Sequence, residues 1–442
     1  MFGILLFLGI LKPCFAADLL DIYQAAINND PVYQAAVSTR LSTREALPQS
    51  VAALLPSITG QATVTSNYQK ITQTPPPNLL GVSTYPAQGY SISISQPILN
   101  IGNWIAVKQA SSTSKQADAT LGAAAQSLIY RVANAYFQVL LAQDNLRLVE
   151  AQKIANTKQL DKAQKRVHVG LDAITTVYAA KAAYDKSLAD EITAQNDLRN
   201  KQEAIRQLTG QTYANLSGFK KILPLLSPQP NNIQQWVTTA TTYNLNLMAS
   251  RYGVEASREN IKIKASGHLP TLNLVGSYGR DEGLNTGTTD RNSAAVGLQL
   301  SVPLFSGGAV LSNTRKAEYD YQTASANLDN TYRQVMVTTR QKYNDVLADI
   351  SKIKAERQAI KSAQLSLDST QESYTAGTRT IVDVLLAQQN LYTAKLNAAR
   401  DQYSYLLDSL LLKQEAGILK TEDLIQINNW LNTQSNKTYA KN

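Results

Sequence analysis

Residues able to do covalent or acid–base chemistry are scarce in this sequence, and those present do not converge. The two histidines, His168 and His268, fall at unrelated places, and the one cysteine, Cys14, lies in an apolar leader. The sequence shows no glycine-rich phosphate loop and no metal-ligand spacing, and Gly307-Gly308 reads as the junction between a strand and a helix. These residues describe a chain that is not an enzyme and takes no metal or cofactor. What remains is two glycine turns, at Gly170 and Gly377, each with its own set of polar neighbours. Glycine supplies the left-handed angles of a tight turn, so each set sits where one helix reverses into another.

The surrounding composition calls for very long helices. Of the 14 prolines none lies between Pro97 and Pro224 or after Pro303. An interior proline removes a backbone donor and clashes with the preceding turn, so long proline-free runs rich in Ala, Gln, Leu and Lys suit long helices. The net charge of +9 does not indicate nucleic acid, because Lys and Arg alternate with Asp, Glu and Gln and form no dense basic run beside aromatics. That pattern is a solvated helical surface.

Residues 1–16 read as a secretory signal: an apolar run from Phe2 to Leu11, then a small-x-small site ending at Ala16. A positive n-region is missing, which points to a truncated or misassigned start. Lipidation at Cys14 is disfavoured by Lys12 and Pro13 before it. Without the leader the chain has no cysteine and hence no disulfide. No later stretch approaches the roughly twenty apolar residues of a spanning helix.

The chain repeats itself. Leu55-Pro56-Ser57-Ile58 is echoed by Leu269-Pro270-Thr271-Leu272, Gln96-Pro97-Ile98-Leu99 by Val302-Pro303-Leu304-Phe305, and Val169-Gly170-Leu171 by Ala376-Gly377-Thr378. The echoes keep their order about two hundred residues apart, so each half is one structural unit. The halves are 17–218 and 232–417, joined by a Pro-rich linker at 219–231 and followed by a last segment at 418–442. Each is expected to run helix, strand, loop, strand, long helix, turn, long helix. Strands are expected over 57–68, 90–98, 271–280 and 293–302, with long helices over 103–168, 172–209, 309–374 and 380–416. In the strands Tyr90, Ile92 and Ile94 alternate with Ser91, Ser93 and Ser95, and Val296, Leu298 and Leu300 with Gly297, Gln299 and Ser301. One apolar and one small polar face suit a membrane barrel, with lipid on one side and water on the other. The polar stretches 69–88 and 280–292 read as long loops, and Pro97 and Pro303 as strand stops. Four strands cannot close a barrel alone, and an open edge in lipid leaves backbone groups unpaired. Several copies must therefore pool their strands.

In the first long helix a heptad stripe runs through Leu121, Ala125, Leu128, Val132, Ala135, Val139, Ala142, Leu146 and Val149. Lys153 and Asn156 interrupt it before Leu160, Ala163 and Val167 resume. At the rise of an α-helix, 103–168 spans about 100 Å.

These residues resemble a known family. His268-Leu269-Pro270-Thr271-Leu272, Val296 through Val302-Pro303-Leu304 to Gly307-Gly308, and Tyr374-Thr375-Ala376-Gly377-Thr378-Arg379-Thr380-Ile381-Val382-Asp383-Val384-Leu385 are similar to the TolC-type outer-membrane efflux channels, the outer membrane factor family. The resemblance covers nearly the whole mature chain. It implies a homotrimer in which each chain lends four strands to a twelve-stranded barrel in outer-membrane lipid. The barrel continues as a helical periplasmic tunnel with an equatorial band near Tyr213 to Tyr243 and Ile418 to Leu431. It further implies passive export of drugs, toxins or proteins, handed over by an inner-membrane pump of RND, ABC or MFS type through a periplasmic adaptor.

The resemblance also assigns the turn residues. Val169, Gly170, Leu171, Ala376, Gly377 and Thr378 match the hairpin ends on which adaptors dock. Asp383 resembles the acidic residue of the entrance, where copies around a narrow axis would favour cations. The second acidic position, one helical turn on, is Leu386 here, which implies weaker cation selectivity and an apolar collar. Tyr374 and Arg379 match residues that hold the entrance shut through hydrogen bonds to a neighbouring hairpin at Thr175 and Thr176. The family has an Asp at the latter position. Arg379 bonded to Thr175, Thr176 or nearby backbone is then a looser latch than an Arg–Asp pair. The competing architecture, a periplasmic adaptor or coiled-coil scaffold, does not explain two matched strand pairs inserted between helices.

Overall fold

The computed structural model describes residues 17–72, 81–213, 215–219, 223–282 and 290–431. The leader at 1–16 with Cys14, part of the linker and the tail beyond 431 lie outside these residues. In chain order the elements are α1 (Leu19–Asn29), α2 (Pro31–Arg44), α3 (Ala46–Ala52), β1 (Ser57–Ile71), β2 (Gly81–Leu99), α4 (Ile101–His168), α5 (Ile174–Thr209), α6 (Ile233–Tyr243), α7 (Leu245–Ala265), β3 (Thr271–Glu282), β4 (Arg291–Ser301), α8 (Ala309–Thr375), α9 (Ile381–Glu415) and α10 (Thr421–Asn428). The helices on either side of the turns match in length, 68 and 36 residues in α4 and α5 against 67 and 35 in α8 and α9. No described helix is long and apolar enough to cross a membrane.

The chain forms two compact units. One gathers 38–120 and 248–331, and holds the sheet. The sheet is antiparallel in the order β1-β2-β3-β4, so β1 and β4 each have one unpaired edge within the chain. Its register sets Gly60 and Tyr278 on either side of Ile92, and Leu298 opposite Leu274. The alternating apolar positions are exposed, Val296 at 82 % and Leu298 at 68 %. A row of such side chains open to water is costly, so in the working protein this face meets lipid or protein.

Two expectations need correction. Pro97 does not stop its strand: β2 continues to Leu99 through a register shift at Pro97. Proline is tolerated at such an irregularity because no ladder donor is needed there. The Gln96 amide donates to both the Leu54 and Pro97 carbonyls at 2.8 Å and fixes the bend. The loops are also shorter than the polar composition suggests. β1 runs to Ile71 and β2 starts at Gly81, while β3 runs to Glu282 and β4 starts at Arg291. The tips at 73–80 and 283–289 lie outside the described residues.

The second unit comprises 17–37, 121–247 and 332–431 of the described chain. Along the α4 stripe Leu128, Val132, Ala135, Val139 and Ala142 are buried, and the first four share a core with Leu406 and Leu410 of α9, Ile353 of α8 and Leu19 and Ile22 of α1. Phe137, Phe219 and Tyr403 stack at 5.8–6.2 Å between centroids. Short bridges Ala17–Leu216 and Phe219–Leu431 close the unit around this core. Where Asn156 breaks the stripe, it does not face water: it is 4 % exposed. Its amide donates to the Ala183 carbonyl of α5 at 3.0 Å and its oxygen accepts from Gln388 of α9 at 2.9 Å. Beside it Lys153 of α4 bonds Glu191 of α5 at 2.6 and 2.7 Å. The interruption is a buried polar joint among three helices.

Candidate functional site

The two hairpin ends share one backbone solution. After α4, the Leu171 amide donates to the Arg166 carbonyl and Gly170 to that of Val167. After α8, Thr378 donates to Ser373 and Gly377 to Tyr374. This paired pattern ends a helix in a left-handed residue, and Gly170 and Gly377 have φ of 74° and 81°. A Cβ at either glycine would meet nothing within 4 Å, so the requirement is backbone angle and not space. α5 starts at Ile174 and not near 172, because 169–173 form the turn. Val169 and Leu171 are exposed, as are Ala376, Gly377 and Thr378.

Asp172, which the motif reading did not single out, is the centre of the polar contacts. Its carboxylate accepts from the Arg166 Nε and Nη2 at 2.9 and 3.2 Å, bracketing the first turn, and from the Tyr374 hydroxyl at 2.7 Å in the second hairpin. The Arg166 guanidinium and the Lys162 ammonium lie 5.1 and 5.3 Å from the Tyr374 ring centre, and Lys162 also donates to the Thr375 hydroxyl at 3.0 Å. Arg166 and the Tyr374 hydroxyl hold the Asp172 carboxyl below its usual range. Burial and the Asp172 charge push the Tyr374 phenol up to about 12, so it remains a donor at any physiological pH. Tyr374 also packs with Ala163, Ala180, Leu367, Ile381 and Val384, an apolar cluster joining the two hairpins.

The other turn residues are placed differently. Arg379 is exposed and makes no hydrogen bond to Thr175 or Thr176 within the chain, and the Thr176 amide donates to the Ala173 carbonyl. The bond proposed for Arg379 is therefore absent inside one chain, where Asp172 already satisfies Tyr374. Asp383 closes a capping box at the start of α9. Its Oδ2 accepts from the Thr380 amide and hydroxyl at 2.9 and 2.8 Å, and the Asp383 amide donates to the Thr380 hydroxyl. These bonds and the nearby Arg379 charge lower its pKa, so it is ionised at neutral pH. Leu386 and Val382 are exposed beside it. Among the described residues no group of three His, Cys, Asp or Glu side chains could hold a metal. A pair of Arg and Asp six residues apart around a glycine turn was visible in the sequence. The Asp172–Tyr374 contact, 202 residues apart, was not.

Residues 22–211 and 236–417 match the family model described as Outer membrane efflux protein. Outer membrane protein TolC of Vibrio cholerae serotype O1 is 37% identical over 420 residues, covering 94% of each chain. Proteases secretion protein PrtF of Dickeya chrysanthemi is 30% identical over 427 residues, covering 94% of this chain and 91% of its own. Of solved structures, the Campylobacter jejuni CmeC outer membrane channel has a TM-score of 0.81 at 18% identity, covering 93% of this chain and 89% of that one. At that identity the likeness is one of fold.

Proposed function

This chain belongs to the outer membrane efflux protein family, and on that premise we propose that it is the protomer of an outer-membrane exit duct for efflux and type I secretion. Drugs, small toxic compounds or secreted proteins cross the duct passively, and an inner-membrane pump of RND, ABC or MFS type supplies the energy. The observation that carries this reading is the sheet. Each of its two outer strands has one unpaired edge within the chain, and its alternating apolar residues are exposed. Closure in lipid needs further copies, and a homotrimer contributes twelve strands. The family description, outer membrane efflux protein, and a relative named as a proteases secretion protein support efflux and protein export in turn.

In this reading the hairpin ends form the periplasmic mouth. Val169, Gly170, Leu171, Ala376, Gly377 and Thr378 dock the periplasmic adaptor. Asp383 sets a ring of negative charge with Leu386 as an apolar collar. The Asp172 tie to Tyr374 holds the two hairpins of one chain together, and Arg379 is left to meet Thr175 and Thr176 of the next copy. Adaptor contact replaces these closing bonds, a two-state shift driven by the difference in contact energy. Purified protein in planar bilayers should conduct, and native mass spectrometry in detergent should give three copies. A water-soluble monomer without conductance refutes the reading.

A further inference from the structure

Within the second unit, α6, α8, α9 and α10 meet the linker residues 226–229 around a cavity of about 220 Å³. Its walls are apolar: Trp236 of α6, Val346 of α8, Leu406 and Leu410 of α9, Ile427 of α10, and Trp430 just after α10. Most polar groups in the lining are already committed. The Tyr405 hydroxyl accepts from the Leu226 amide and donates to the Leu226 carbonyl, both at 2.9 Å. The Trp236 indole N–H donates to the Pro230 carbonyl at 2.8 Å, and the Ser409 hydroxyl to the Tyr405 carbonyl at 2.7 Å. The Asp423 carboxylate accepts from the Lys413 Nζ at 2.6 Å and from the Lys420 amide at 2.9 Å. Lys413 keeps capacity, because an ammonium has three donors and only the bond to Asp423 is made among the described residues. The Leu226 side chain also lines the cavity, yet it is 61 % exposed. It is an apolar group left in water at the edge of an apolar hollow.

We propose that this cavity is a binding site for an uncharged, planar aromatic molecule the size of two fused rings, carrying one acceptor oxygen. The size follows from the volume. An apolar cavity of about 150 Å³ takes benzene, and this one is larger by about half. Planarity follows from the walls, since two indoles and the Pro228 ring offer flat apolar faces. Neutrality follows from the charges. Lys413 and Asp423 cancel each other, so an ion leaving water would find no net opposite charge to receive it. The acceptor oxygen is for the unspent donors of Lys413. An apolar lining with a few placed polar groups is the usual make-up of a small-molecule site. A single chain lines the cavity, so the site does not depend on how many copies assemble. A molecule there would touch the linker, α9 and α10 at once and hold α10, the last described helix, against the body of the unit. Binding to the folded form alone would raise its melting temperature.

The chain has three tryptophans, and the one outside the cavity, Trp104, belongs to the other unit. In full-length Trp104→Phe protein the indole emission therefore comes from the cavity walls. This protein, purified in detergent, is titrated at neutral pH with 6-bromo-2-naphthol, whose bromine quenches indole on contact, and with the anion 6-bromo-2-naphthoate. The expected result is saturable quenching by the naphthol, one molecule per chain, with the naphthoate weaker by about tenfold or more. Adding Ser409→Phe, which fills the cavity, should abolish it. Adding Lys413→Met, which keeps the space and removes the donor, should weaken it by about tenfold. Leu226→Ser changes only the exposed edge, leaves the packed helices untouched, and should also weaken binding. The naphthol should raise the melting temperature of the Trp104→Phe protein and leave that of the Ser409→Phe protein unchanged. Quenching that climbs without saturating, or that persists in Ser409→Phe and Leu226→Ser alike, is partition into detergent and overturns the site. Naphthoate bound as tightly as naphthol overturns the neutral ligand.

Discussion

Replacing Asp172 by Ala removes three hydrogen bonds at once, two from Arg166 and one from Tyr374. A hydrogen bond to a charged group contributes about 1.5–3 kcal/mol when well shielded. Here the side chains are 13 % and 18 % exposed for Asp172 and Arg166, so water replaces part of what is lost. A net cost of about 2 kcal/mol per chain follows, of which the one bond that joins the hairpins contributes about 1.4 kcal/mol, a factor of about 10 in the balance between tied and untied hairpins. Single-channel recording in planar bilayers is the assay. Asp172→Ala should raise the mean conductance or the frequency of open events, Asp172→Asn should do so less, and Tyr374→Phe should lie between the variant and the parent. Because one bond joins the two residues, the double variant should be no more open than Asp172→Ala alone. The tie should also survive mild acid. A carboxyl whose folded pKa is depressed contributes stability above its ordinary value near 3.8 and loses it only as pH falls through the lower folded one. Conductance therefore should not change between pH 7 and 5 on account of Asp172. Wild-type conductance in Asp172→Ala, or additive effects in the double variant, refutes the reasoning. Arg379→Ser opening the channel alone would then move the latch to contacts between copies.

Asp349, 5 % exposed with one carboxylate oxygen lacking a donor, is pushed up to about 6 by burial and the Asp408 charge. A raised carboxyl pKa makes the fold lose stability as pH rises from about 4 through 6, so Asp349→Asn should melt higher at pH 7, by about 2 kcal/mol, and show little gain at pH 4. Unchanged melting at both values would count against the burial argument. Asn156→Leu leaves the buried Gln388 amide without its acceptor and should cost about 1–3 kcal/mol in denaturant unfolding. If Asp383 charges the mouth as proposed, Asp383→Asn should reduce cation preference in reversal-potential measurements, and it should loosen the first turn of α9 because the same carboxylate closes the capping box.

Local pattern, repeated along the sequence, was the legible part of this chain. Proline-free runs, alternating strands and paired glycine turns are local signals, and each marks a described element: α4 and α8, β2 and β4, and the turns at Gly170 and Gly377. Side-chain pairings across the fold leave no such signal. Thr176 stands where a carboxylate was expected, and nothing local says that Asp172, in the turn before it, takes up Tyr374. Asn156 read as an interruption because a polar residue in a stripe is indistinguishable from an exposed one until its partners on other helices are known. Pro97 misled for a similar reason. Proline ends a regular ladder, but the Gln96 side chain supplies the bonds that let β2 bend and go on.

The Asn156 joint sets a limit on how the hairpins can move. A one-turn slide of α9 along α4 is about 5.4 Å, enough to separate the buried Gln388 amide from the Asn156 oxygen that accepts from it. Axial creep is thus blocked at this level, while swivelling about it breaks neither bond. The helices below are pivoted rods, able to splay at their tips only when the Asp172–Tyr374 tie is broken and held against travel along their length.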